Sequence, residues 1–413
     1  MPNPIDMNAT IINIGNELLL GKTVNTNVAY LGAELANLGV PVEYTITIKD
    51  DPIAIKTALQ NAWGHSDIVI TTGGLGPTED DLSKAAIAEF FGKQMYFNDD
   101  VWQYVQSMFA MRNMQTPPIN RNQALVPDAF TVLRNEKGTA PGLHYREGNK
   151  LFFALQGVPV EMMYIFEFYM KQIIAECYPY AKPVIQKTIH THGLSESRLA
   201  ELFKLEELPE GVSLAWLPQT GRVDLRFYGY DIAPIEQAIL LAECKIAPYI
   251  WGLDNETPAG TLLKLLDEQN DTLSLAESCT GGWVQKMITD VSGASHSFLG
   301  GMVAYSNDMK IDVLGISDNI LNTYGAVSSE CATEMAIRIK ELTKSSHAIS
   351  VTGIAGPDGG TAEKSIGTVY FGFAAKERSW SIKQIFSGDR NSIRHKASEF
   401  AILELIKSLQ GRK

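Results

Sequence analysis

The sequence is short of cysteine, of positive charge and of long apolar runs, and each shortage closes off a class of function. Its four cysteines, Cys177, Cys244, Cys279 and Cys331, include no CxxC pair and lack the density of a disulfide scaffold. Reduced thiols in the cytoplasm are the expectation. Lysine and arginine number 35 against 47 acidic residues, a formal charge of −12 at pH 7. That balance opposes non-specific contact with nucleic acid phosphates or anionic membrane. No apolar stretch reaches the roughly eighteen residues of a membrane span, and the start, Met1-Pro2-Asn3-Pro4-Ile5-Asp6, lacks the basic-then-apolar pattern of an export signal. Neither membrane nor export is expected.

What is present reads as α/β. From Ala9 to about Gly92, short apolar runs alternate with amphipathic stretches, as a parallel sheet requires. Strands are expected near Ile11 to Gly15, Val42 to Ile48 and Asp67 to Thr71, with helices near Val28 to Leu38 and Pro52 to Trp63. The last strand runs into Gly73-Gly74-Leu75-Gly76-Pro77-Thr78-Glu79-Asp80-Asp81, where Thr78 and Asp81 have capping-box spacing. A glycine loop opening a helix is a geometry used for phosphates in doubly wound folds. A strand at Leu151 to Leu155 and a helix from about Val160 to Cys177 close this region. Residues from about Pro179 to Gly252 read as a small α+β module, and a third α/β region runs from near Thr257 to the end. The expected domains are 1–178, 179–254 and 255–413.

Two constellations carry chemistry. In Ala276-Glu277-Ser278-Cys279-Thr280-Gly281-Gly282, a serine follows an apolar run and precedes a helix-like stretch, where amides and the helix dipole converge. Downstream lie Tyr305 and Lys310, and no His/Asp pair stands around the serine in the usual hydrolase order. The pattern points to Ser278 as nucleophile, Lys310 as base if burial holds it neutral, and Tyr305 as proton relay or donor. The amides of Thr280, Gly281 or Gly282 are the expected oxyanion donors. The loop around Gly353, Ala355 and Gly356 is expected to line a phosphate or ribose pocket, and Arg390 and Arg394, four residues apart, to hold an anionic group. Taken alone, Ser278 also suits a helix N-cap and Lys310 a solvated charge. In the N-terminal region, Glu17, Asp50, Asp80 and Asp81 offer oxygen ligands for a hard divalent ion such as Mg²⁺ beside a pyrophosphate.

The motifs from Ala276 to Gly282, Tyr305-Ser306-Asn307 with Lys310, Gly325-Ala326-Val327-Ser328, Thr352 to Gly360 and Phe386 to Arg394 occur in order, and together they resemble the C-terminal domain of the CinA family. The resemblance implies a nicotinamide-nucleotide amidohydrolase that converts nicotinamide mononucleotide to nicotinate mononucleotide and ammonia, without a cofactor. Carried onto this chain, Ser278 is the nucleophile, Lys310 the base, Tyr305 its partner and Arg394 a substrate contact. The motifs around Gly15 to Leu19, Asn25 to Asn27, Asp50-Asp51 and Gly73 to Asp81 resemble the molybdopterin-binding fold of the same family's N-terminal domain, a three-layer architecture joined through a KH-like module. There the resemblance implies an ADP-ribose pyrophosphatase using divalent metal and K⁺ as a further candidate, with Asn27, Gly73, Gly74, Gly76 and Thr78 among the substrate-binding residues. The middle module carries no GxxG loop, so RNA clamping is not expected. A cytoplasmic homodimer acting on small nucleotides is the implied form. The alternatives are a pterin- or nucleotide-binding N-terminal module without turnover, and an adaptor in competence or DNA repair that works through a protein partner.

Overall fold

A computed structural model describes residues 7–78, 81–219 and 221–411. The chain forms two compact units, Met1–Ile185 and Gln186–Lys413. In the first, strands β1 (Ala9–Ile14), β2 (Val42–Ile48) and β3 (Ile68–Thr72) come early, and a small pair, β4 (Met95–Phe97) and β5 (Leu125–Pro127), follows. Strands β6 (Thr131–Leu133), β7 (Gly142–Glu147) and β8 (Lys150–Leu155) complete a six-stranded sheet in the order β2-β1-β3-β8-β7-β6. β2, β1, β3 and β8 are parallel, while β7 and β6 are antiparallel additions at one edge. Alternation along β1 explains the layers. Ala9 and Ile11 pack with Leu31, Leu35, Met162 and Phe166 on one face, and Ile12 and Ile14 with Ile55, Leu59, Ile87 and Phe152 on the other. Helices therefore cover both faces, giving three layers.

The second unit holds two sheets. β9 (Ile185–Thr191), β10 (Ser213–Gln219), β11 (Arg222–Gly229) and β12 (Ile250–Leu253) are ordered β10-β11-β9-β12. β13 (Leu273–Glu277), β14 (Phe298–Val303), β15 (His347–Gly353), β16 (Thr368–Ala374) and β17 (Ser379–Ile385) are ordered β14-β13-β15-β16-β17, the first three parallel. The boundary expected near residue 254 thus separates two sheets but not two compact units. Buried charge bridges them: Arg222 beside β11's Asp224 reaches Glu399 of the helix Arg390–Leu409 at 2.5 Å, and its guanidinium lies over the Trp251 ring.

One expectation is corrected, and another gains a local detail. The helix after the glycine loop is Ser83–Phe90 with Leu82 at its N-cap, so Thr78 does not cap it. Instead one Asp81 oxygen accepts from both the Thr78 amide and the Thr78 hydroxyl, closing a turn ahead of the helix. The helix expected over Val160 to Cys177 runs from Pro159, with a wider π turn at Phe166–Met170 between α-helical stretches.

Both main sheets change direction beside their first strand. The chain leaves β1 for β2 on one side and then reaches β3 on the other; it leaves β13 for β14 and then reaches β15. Crevices at such switch points, outside the carboxyl ends of the strands, are where open α/β sheets bind ligands. The second sheet is held close to its cover at Gly372 of β16, where an added Cβ would collide with the Ala332 carbonyl in the helix Ser329–Thr343. Gly372→Ala is expected to cost about 1–3 kcal/mol through overpacking, read as a lower denaturation midpoint with an unchanged m-value; an unchanged midpoint would contradict this packing.

Candidate active site

Ser278 stands at the carboxyl end of β13, at the second switch point. Its amide donates to the Val351 carbonyl at 2.8 Å, extending the pairing with β15, and its carbonyl accepts from the Gly281 amide at 3.0 Å. The turn this closes needs left-handed backbone at Gly281 (φ 62°) and Gly282 (φ 91°), which glycine adopts without a Cβ penalty. The helix Trp283–Thr289 then begins at Gly282 rather than at Ser278. Its N-terminus is filled from within: the fully buried Glu277 carboxylate accepts from the amides of Gly282 at 2.9 Å, Val284 at 3.2 Å and Gln285 at 2.8 Å. A carboxylate there answers both the unpaired amides and the helix dipole.

Lys310 reaches the serine from the segment that follows β14. It lies in a π turn, Met309–Val313, whose entry is fixed by the Ser306 hydroxyl accepting from the Met309 amide at 3.1 Å. Its side chain is 1 % exposed. The Nζ donates to the carbonyls of Ala304 at 2.7 Å and Tyr305 at 3.2 Å and lies within hydrogen-bond distance of the Ser278 Oγ, at 3.1 Å. Among the described residues no carboxylate stands within ion-pair distance of it, and burial lowers its pKa below the ordinary lysine range. The thiols of Cys279 and Cys331 offer no counter-charge near neutrality, because burial pushes them up to about 12 and about 11.

The other expected groups take different parts. The Tyr305 hydroxyl, on an exposed side chain, accepts from Arg390 Nη2 at 3.1 Å; it is the Tyr305 carbonyl that holds the lysine. Arg390 also donates to the Gly356 carbonyl at 2.7 Å. Arg394 donates to the carbonyls of Cys279 at 3.1 Å and Thr280 at 2.7 Å and lies over the Trp283 ring, so it clasps the serine loop. Of the three amides expected to meet an oxyanion, those of Gly281 and Gly282 are engaged within the loop, and Thr280's alone has no oxygen acceptor among the described residues. Gly353 serves packing: a Cβ there would sit 2.8 Å from the Thr368 carbonyl oxygen. Ala355 is buried beside it. The role of Glu277 was missed although the residue sits inside the motif; the usable signal was a buried carboxylate at a strand end just before a glycine turn and a helix.

At the first switch point a cavity of about 430 Å³ gathers Glu17, Asp50, Gly73, Gly74, Gly76 and Asp81 together with Gln123, Thr139, Ala140, Gln156, Gly157 and Glu161. Asn27 lines a smaller neighbouring cavity of about 120 Å³ and donates to the Thr72 hydroxyl at 3.0 Å and the Gly157 carbonyl at 2.9 Å. Thr78 is engaged with Asp81, and Asp80 lies outside the described residues. Among the described residues no three acidic, histidine or cysteine side chains gather as a metal site. Gln123, Gln156 and Glu161 were not foreseen, since they come from loops and a helix start remote in sequence from the glycine loop.

A family model of the CinA C-terminal domain matches residues 255–409, and a model of a probable molybdopterin binding domain matches residues 10–176. The chain is 40% identical over 400 residues to a competence-damage inducible protein of Thermoanaerobacter pseudethanolicus, covering 94% of this chain and 95% of that one. It is 37% identical over 415 residues to a CinA-like protein of Cytophaga hutchinsonii, covering 97% of each. Among solved structures, the protein CinA of Thermoplasma acidophilum matches 42% of this chain and 99% of its own at 34% identity, with a TM-score of 0.38. This chain belongs to the CinA family, with a molybdopterin-binding-like domain at its N-terminal end.

Removing the Glu277 carboxylate would leave three amide N–H groups without their acceptor in a closed interior. Glu277→Ala is expected to lower stability by about 3 kcal/mol in denaturant unfolding; a loss below about 0.5 kcal/mol would show that the helix start does not depend on it.

Proposed function

We propose that the C-terminal site hydrolyses the carboxamide of a nicotinamide nucleotide, nicotinamide mononucleotide to nicotinate mononucleotide and ammonia, with Ser278 as nucleophile and neutral Lys310 as base. The observation that carries this reading is the Lys310 Nζ, buried without a carboxylate and 3.1 Å from the Ser278 Oγ. A neutral amine has two N–H bonds and one lone pair. The carbonyls of Ala304 and Tyr305 take the two hydrogens, which turns the lone pair to the serine hydroxyl.

In this mechanism the Ser278 Oγ attacks the carboxamide carbon as its proton passes to Lys310. The Thr280 amide, which has no oxygen acceptor among the described residues, is the loop donor suited to meet the developing oxyanion. Collapse breaks the C–N bond, and the lysine proton leaves with nitrogen as ammonia. Water then attacks the acyl-enzyme, again losing its proton to Lys310, which returns it to Ser278 as the nicotinate carboxylate departs. Arg390, exposed at the site and tied to Tyr305 and the Gly356 loop, is the arginine suited to meet the substrate phosphate. Arg394 supports the loop that carries the serine.

For the N-terminal unit the same reading extends to binding of ADP-ribose or another nucleotide at the glycine-loop cavity, with pyrophosphate cleavage supported only by the family resemblance. AMP released from ADP-ribose, measured with and without Mg²⁺, separates cleavage from binding. A cytoplasmic homodimer belongs to the same reading. No helix among the described residues is long and apolar enough to cross a membrane.

Ammonia release from nicotinamide mononucleotide should fall by about 10³-fold or more in Ser278→Ala and in Lys310→Met. Wild-type kcat/KM should rise with pH on the acid side through a pKa below the ordinary lysine range, because the free base is the active form and burial favours it. Full activity in either variant would remove that residue from the chemistry.

A further inference from the structure

The first sheet ends on a bare edge. β2 pairs with β1 on one side, and among the described residues no strand pairs with its other side. The Ile48 carbonyl accepts from the Gly15 amide at 3.1 Å and the Ile46 carbonyl from Asn13 Nδ2 at 3.2 Å, so the peptide groups of Tyr44, Ile46 and Ile48 face β1. Those of Thr45 and Thr47 therefore turn outward, to the open edge. Every residue from Tyr44 to Ile48 is β-branched or aromatic, and none is charged. The register shift against β1 falls between Ala9 and Thr10, at the Glu43 end, and leaves Tyr44 to Ile48 regular. Proteins commonly shorten or interrupt such edges. Here β10 carries Pro218, and β6 and β12 have only three and four residues, whereas β2 runs seven residues without proline.

The segment is complementary to itself. Set antiparallel to its own copy about Ile46, Glu43-Tyr44-Thr45-Ile46-Thr47-Ile48-Lys49 opposes Glu43 to Lys49, Tyr44 to Ile48 and Thr45 to Thr47. Opposite charges, an aromatic with a β-branched residue and two threonines are all favourable cross-strand pairs. The register also suits the backbone, because an antiparallel pair exchanges hydrogen bonds between residues that both turn their peptide groups to the partner, here Thr45 with Thr47. A slip of two residues either way keeps that rule but takes Glu43 away from Lys49. Both charged side chains are exposed and lightly held: Glu43 accepts from Asn8 Nδ2 at 2.6 Å, and Lys49 stands 3.8 Å from Asp51. Beside the edge, Tyr44 and Ile46 line an open cavity of about 200 Å³ with Asn61, Ala62 and His65 of the helix Pro52–His65. In the antiparallel arrangement the copy's Ile46 and Ile48 come to that same face and cover it.

We propose that two copies of this chain pair through β2, antiparallel about a two-fold axis at Ile46, and so join their six-stranded sheets into one continuous sheet. A two-fold contact is isologous, so the Glu43–Lys49 pair occurs twice and each chain covers the other's cavity. The inference rests on the homodimer of the functional reading and adds to it the surface of contact. The chemistry at Ser278 does not depend on it.

The test is sedimentation equilibrium of the full-length protein, which gives the dissociation constant of the dimer. Lys49→Glu turns both charge pairs into repulsions and should weaken the dimer at least about tenfold. Adding Glu43→Lys to it restores the pairs with their signs exchanged and should return the affinity to within about twofold of wild type. Both positions are exposed, and melting midpoints check the fold. Ile46→Cys puts a thiol on the axis, where facing Cα atoms of a non-hydrogen-bonded pair are about 4.5 Å apart, so mild oxidation with diamide should link the two chains. Tyr44→Cys, which faces Ile48, should link no more than wild type does through its own four cysteines. A dimer that ignores Lys49→Glu, or that does not link at position 46, overturns the β2 contact and leaves the homodimer standing. A protein that stays monomeric at every concentration overturns both.

Discussion

The burial of one amine organises the C-terminal half of this protein. Among the described residues Lys310 is enclosed without a carboxylate to share its charge, so the interior favours the free base beside the Ser278 hydroxyl. An ion pair would undo this by holding the lysine protonated. The two carbonyls from the chain just after β14 do what a carboxylate cannot: they orient the nitrogen without stabilising its charge as strongly. The π turn at Met309–Val313 belongs to this arrangement, since a π turn is a common local device at functional sites.

The serine side is held by a second buried group of opposite character. Glu277 places a full negative charge where the amides of the next helix need acceptors, and Arg394 and the glycines fix the rest of the turn. The helix end is consequently spent on structure. In the proposed mechanism, oxyanion stabilisation is left to the short stretch between Ser278 and Gly281, and substrate charge to Arg390. Both main sheets deliver their loops to a switch point, where open α/β sheets bind ligands.

Much of this was legible in the sequence because it depends on short-range pattern. The strands β1, β3, β8, β13, β15 and β16 are apolar runs bounded by turn residues, and the Ser278 motif sits at the end of β13. Less legible were β6, β7 and β10, of which the first is only three residues long and the others are partly exposed edge or near-edge strands. Hydrogen-bond partners were the least predictable part. Whether Arg394 meets a substrate or the Cys279 and Thr280 carbonyls, and whether Tyr305 acts through its phenol or its carbonyl, depends on turn geometry and rotamer rather than on spacing. The same holds for Glu161 and Gln156, which enter their cavity through a loop network built on Asn135.

The protonation state of Lys310 is the claim on which the proposed chemistry turns, and it can be observed without substrate. Carbon-detected NMR titration of the lysine side chains, with Lys310 assigned by its absence in Lys310→Met, would report it directly. The account predicts a Lys310 signal that titrates below the exposed lysines, in an otherwise unchanged spectrum. Titration together with the exposed lysines, near pH ~10.4, would contradict it and leave Ser278 without its base.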